Sequence, residues 1–99
     1  MVTIIAEFKV KGGKGAEFEK LAGEVMKSSR REHGNIGYTV YKSRSCPDMY
    51  TFVEEWLNDA VIAVHNESRH FKAFIAAIAD IVETEPAITQ YEKIGRVYG

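Results

Sequence analysis

The sequence predicts an α+β domain with the element order βαββαβ. Three observations carry that prediction. The apolar residues alternate at first, switch twice to a spacing of three and four, and return to β-branched runs after each switch. The two central runs are joined by a connection short enough for a hairpin. A chain of 99 residues supplies one core and not two.

Val2 to Val10 alternates, with Val2, Ile4, Ala6, Phe8 and Val10 on one face and Thr3, Ile5, Glu7 and Lys9 on the other. That is a strand, broken by Lys11-Gly-Gly-Lys-Gly15. Ala16 to His33 reads as an amphipathic helix with Phe18, Leu21, Ala22, Val25, Met26 and Ser29 inward. Its acidic residues come early and its basic ones late, and Gly34 stands where a helix ends. Ile36 to Ser43 and Met49 to Leu57 form the hairpin around Ser45-Cys-Pro-Asp48. Asn58 or Asp59 caps a short helix, Ala60 to His65, and Ser68 caps a longer one after the break Asn66-Glu-Ser68. The stripe Phe71, Phe74, Ile75, Ile78 and Val82 continues until Glu85-Pro86 stops it. Ala87 to Ile94 is the fourth strand, followed by the tail Gly95 to Gly99. The order is the ferredoxin-like split βαβ: a four-stranded antiparallel sheet with its helices on one face.

The second sheet face is apolar too, with Tyr50, Phe52 and Ile5 set against Met49, Val53 and Ile4. A sheet apolar on both faces needs a second cover, and a second copy of the chain is the simplest one. A homodimer is expected.

Thirteen Lys and Arg against fourteen Asp and Glu leave a net charge of -1, too balanced for a protein that lives on nucleic acid or an anionic membrane. The single Cys46 excludes an internal disulfide framework. The apolar start lacks a basic flank and meets Glu7 early, unlike a signal peptide, so a cytoplasmic location is expected.

The glycines at 12, 13 and 15 fit neither phosphate-loop spacing and read as a loop before a helix. Cys46 lies in a turn with no base or helix N-terminus to activate it, and Lys27 to Arg31 is a solvated helix face. His33 suits a helix C-terminus. His65 and His70 are five apart across the break, not at the spacing of a zinc helix, and no acidic cluster completes a metal site beside them. Both flank apolar stripes. Either can line the space between helix and sheet, as a base with a near-neutral pKa or as a packed cap. Trp56 ends its strand beside the second helical segment, as core or as a wall for substrate.

The stretch Trp56-Leu-Asn-Asp-Ala-Val-Ile-Ala-Val-His65-Asn-Glu-Ser-Arg-His70-Phe71 resembles the signature of the antibiotic biosynthesis monooxygenase family. The opening Ile-Ile-Ala-Glu-Phe-Lys-Val-Lys is similar to that family's first strand, and Arg31-Glu-His-Gly34-Asn-Ile-Gly-Tyr38 to its helix-to-strand turn, E-x-G-x-x-x-Y. The resemblance implies a dimeric ferredoxin-like fold. It implies oxidation of a small electron-rich aromatic or quinol by O2 with no cofactor, or isomerisation of a small phosphorylated ligand, or binding without catalysis. On this reading His65 or His70 is the catalytic base, and Trp56 and Tyr41 are wall and donor. Glu54 and Glu7 are partners if they face inward, and Phe74 with Tyr41 and Glu54 is the alternative pocket wall. Haem-degrading relatives carry an Asn, a Trp and an axial His where Phe8, His65 and Ile75 stand here, so no haem is expected.

Overall fold

Strand β1, Val2–Lys9, buries Ile4, Ala6 and Phe8 and turns Glu7 and Lys9 outward, as strict alternation requires. The computed structural model describes residues 1–95, so most of the expected tail, Gly95 to Gly99, lies outside the described residues. The helix α1, Gly15–Ser29, packs Phe18, Ala22, Val25 and Ser29 inward. Strands β2, Asn35–Lys42, and β3, Met49–Trp56, form the hairpin. Two short helices follow, α2, Asp59–Glu67, and α3, Arg69–Ile78, and then strand β4, Ala87–Glu92. The sheet runs β2-β3-β1-β4, antiparallel throughout. This is the α+β ferredoxin-like arrangement.

Both caps of the split helical segment form as their residues dictate. Asn58 Oδ1 accepts from Val61 N at 3.1 Å, and Ser68 Oγ accepts from Phe71 N at 3.3 Å. Phe8, Phe18, Phe52 and Phe74 meet with ring centroids 5.0–6.3 Å apart, which puts an aromatic cluster at the centre of the core.

Three expectations change. The first helix ends at Ser29 rather than His33, because the chain must turn beneath α2. Glu32 N donates to Ser29 O at 3.0 Å, and Gly34 takes φ +87. The helix α3 ends at Ile78, well before Glu85. Beyond it Lys11 N donates to Ile81 O and Glu83 N to Lys9 O, and Val82 bridges Val10, so backbone pairing with the end of β1 outweighs the helical stripe. The grouping of the two sheet faces also shifts. Ile5 lies opposite Val53 and therefore shares the open face with Met49, while Ile4 lies with Tyr50 and Phe52 under the helices.

Candidate active site

Tertiary packing puts the turn after α1, the end of α2 and the start of α3 side by side. Glu32, His65 and His70 arrive from those three elements. Glu32 Oε2 lies 2.6 Å from His65 Nδ1 and 2.7 Å from His70 Nε2. A carboxylate can only accept, so both rings donate to the one oxygen, and His65 holds its proton on Nδ1. The opposite nitrogen, Nε2, is buried and finds no partner among the described residues. His65 is 2% exposed and lines a cavity of about 80 Å³ between sheet and helices.

That cavity is apolar apart from one wall. Phe52, Phe74 and Tyr38 line its inner side, and Ile75, Pro86 and Ile88 its outer side. Its titratable lining is Glu54, His65 and the Tyr38 phenol, and no lysine or arginine is among the described residues that face it. Glu54 projects from β3 on the helix side, where its Oε1 accepts from Trp56 Nε1 at 3.0 Å. The Trp56 ring is fully buried and lies 4.6 Å from the His65 ring, centroid to centroid. It backs the histidine and the carboxylate rather than forming the cavity surface.

Burial dominates the electrostatics. It pushes the Glu54 carboxyl up to about 7 against the opposing hydrogen bond from Trp56, with Glu32 adding repulsion. It also lowers the His65 imidazole, and Glu32 resists that shift. Burial raises the Tyr38 phenol, keeping it protonated. The Glu54 shift has a consequence for stability. A carboxyl raised from 4.5 to about 7 binds its proton more tightly in the fold, so it opposes folding increasingly as pH rises through that window. Glu54→Gln keeps an acceptor for Trp56 without the charge. It is expected to be more stable than the parent by about 3 kcal/mol above pH 7, with the gain fading toward pH 4. Urea midpoints across that range measure it, and a gain independent of pH contradicts it.

The sequence candidates therefore separate. His65, Glu54 and Phe74 meet at the cavity, and Trp56 supports it from behind. His70 contacts the same Glu32 but lines a different groove of about 240 Å³ between α1 and α3, with Leu21, Glu24 and Val25. Tyr41 is 55% exposed on a third groove beside Met26 and Tyr50, because its odd position in β2 turns it away from Tyr38. It neither walls the cavity nor completes the alternative pocket with Glu54 and Phe74. Glu7 faces outward and is exposed.

Glu32 and Tyr38 are the residues that sequence reasoning passed over. Both stand in the E-x-G-x-x-x-Y run, which reads as a turn until the turn is seen to deliver a carboxylate. Glu32 also supplies the acidic group that the histidines lack in sequence. The three residues are the group among those described that could converge on a metal, with ligand atoms within 4.8 Å of one another. Their 2.6 and 2.7 Å separations are those of hydrogen bonds. Two ligands of one tetrahedral zinc stand roughly 3.3 Å apart.

Fold and site define a small ferredoxin-like α+β protein with a carboxylate-held histidine at a mostly apolar cavity between sheet and helices. The model of the family Antibiotic biosynthesis monooxygenase matches residues 1–77. The chain belongs to that family. It is 33% identical over 92 residues to YcnE of Bacillus subtilis (strain 168), provisionally named a monooxygenase, covering 86% of this chain and 97% of that one. A conserved protein of Methanosarcina mazei Go1 superposes with TM-score 0.89 at 29% identity, over 93% of this chain and 91% of the other. A structure from Nitrosomonas europaea described under the same family name superposes with TM-score 0.92 at 22% identity, over 95% and 99% of the two chains, and shows the shared fold. No helix among the described residues is long and apolar enough to cross a membrane.

Proposed function

We propose that the chain is a monooxygenase that oxidises a small electron-rich aromatic or quinol with O2, using no bound cofactor. The observation that carries this reading is His65 itself, which lines a mostly apolar cavity with its Nδ1 held by Glu32 and its buried Nε2 without a partner among the described residues. His65 takes the hydroxyl proton of the substrate, and Glu32 stabilises the imidazolium. The resulting phenolate is electron-rich enough to reduce O2. A ring C–H is replaced by C–O, the ring is left as the quinone, and the second oxygen atom departs as water. Both electron pairs come from the substrate, so no outside reductant is needed. The apolar walls keep water from the anion and the reduced oxygen. Glu54, braced from behind by Trp56 Nε1, borders the polar side, where a second hydroxyl can be held.

A cavity of about 80 Å³ limits an occupant to no more than one ring, since an engineered apolar cavity that holds benzene measures about 150 Å³. Pockets for larger ligands run to several hundred Å³. The phosphorylated-ligand reading loses ground on charge: Arg69 and Lys72 lie on α3, and neither faces the cavity. Oxygen-electrode assays with hydroquinone and its methyl derivatives test the proposal. Uptake of one O2 per quinol, with the hydroxyquinone as product, supports it; uptake no faster than the uncatalysed background overturns it.

The dimer belongs to the same reading. Every residue of β4 is exposed in the single chain, and Tyr91, 51% exposed, lies with Ile5 and Val53 on the open sheet face. A second copy that covers this face should bury more than about 1,000 Å² in all. Light scattering at micromolar concentration is expected to return twice the 11.1 kDa chain mass, and a monomeric mass contradicts it.

A further inference from the structure

Glu32 holds two histidines, and only one of them reaches the cavity. His65 is sealed in, whereas the His70 side chain is 27% exposed and opens on the groove between α1 and α3. The two rings are 5.9 Å apart, centroid to centroid, and both use the same carboxylate oxygen. A proton arriving from solvent can reach His70 without entering the cavity.

We infer that His70 is a positioning residue that sets the basicity of His65 through Glu32. With His70 neutral, its Nε2–H anchors Glu32 Oε2 on His65 Nδ1 and leaves the carboxylate charge free to stabilise a His65 imidazolium. With His70 protonated, Glu32 is neutralised from the groove side, and His65 loses the counter-charge that its protonation needs. The inference rests on the reading of His65 as the cavity base, yet its sign follows from the geometry alone. At this ring separation a positive charge on His70 also repels one on His65 directly.

The charged and titratable groups around the pair are named by the packing. Glu24 faces His70 across the groove from α1, and Glu32 comes from the turn that follows. His65 comes from α2, Tyr38 from β2 and Glu54 from β3 behind it. Arg69 and Lys72 share the α3 helix with His70. Of these groups, Glu32 alone hydrogen-bonds both rings among the described residues.

The test is a pH titration of the free protein by long-range nitrogen–proton NMR, which reports tautomer and protonation ring by ring. In the parent protein the His65 nitrogens are expected to show a second inflection at the His70 midpoint. In His70→Gln the amide still donates to Glu32 but carries no charge. His65 should keep its Nδ1–H tautomer and titrate about one pH unit higher than in the parent. A purely structural His70 would leave the His65 midpoint where it is. An unchanged midpoint in His70→Gln overturns the inference, and so does a His65 curve in the parent with no inflection at the His70 midpoint. The second result decides the matter even if the variant does not fold. Neither outcome depends on a substrate, so failure of the oxygenase reading in the electrode assay remains a separate result.

Discussion

Replacing His65 with alanine is expected to cost about 10² to 10⁴ in quinol turnover while leaving the fold in place. The side chain does two things at once. Its Nδ1–H is one of two donors to Glu32, and its Nε2 is a buried acceptor with no partner among the described residues. Removing it leaves Glu32 with the His70 hydrogen bond and opens space beside Trp56, for a stability loss of about 1 to 3 kcal/mol. That is a minor part of the roughly 5 to 15 kcal/mol available to a domain of this kind, so the variant should remain folded at 25 °C. Glu32→Gln should lose turnover without emptying any space, since an amide cannot stabilise an imidazolium as a carboxylate does. Steady-state oxygen uptake beside urea unfolding separates the two effects. A folded His65→Ala variant with full turnover would remove the histidine from the chemistry.

The second large effect is on folding. Gly34→Ala is expected to destabilise the chain by about 2 to 4 kcal/mol. Gly34 has φ +87, a region where a Cβ is strained. An added Cβ would also stand 2.5 Å from Val61 Cγ1, and Val61 is fixed on α2 by the Asn58 cap. Gly13 supplies the control. Its φ is +84, but nothing lies within 4 Å of its would-be Cβ, so Gly13→Ala should cost only about 1 kcal/mol. Urea midpoints decide between strain alone and strain with collision. Equal losses at the two glycines would mean that the close approach to α2 contributes nothing. Because Glu32 lies two residues before Gly34, the same substitution should also disturb the hold on His65.

The strands were readable because alternation survives on a half-buried sheet. Ile4, Ala6 and Phe8 in β1 and Tyr50, Phe52 and Trp56 in β3 each form one row by spacing, but only the pairing register puts the two rows together on the covered face. The Asn58 and Ser68 caps were readable because each side chain bonds a backbone group three residues on. The end of α3 was not. Val82 continues the apolar period, and only the distant strand β1 claims its backbone. The site was half legible. His65, Trp56 and Glu54 carry their chemistry in their identity and lie near one another in sequence. Glu32 is 33 residues from His65, and a lone glutamate after an amphipathic helix looks like any solvated residue until the turn aims it inward. Tyr41 misled for the opposite reason. An aromatic in a strand looks like a wall, but the pleat decides which wall, and Tyr38 holds the inward position.

The cavity between the sheet and the paired short helices is the centre of this account, and methyl-resolved NMR with para-cresol tests it most directly. A single-ring phenol should shift the methyl resonances of Ile4, Ile75 and Ile88 together with the His65 ring signals, at saturable concentration, and leave Met26 and Val40 untouched. Shifts confined to Met26, Val40 and the Tyr41 groove, with the His65 signals unmoved, would contradict it.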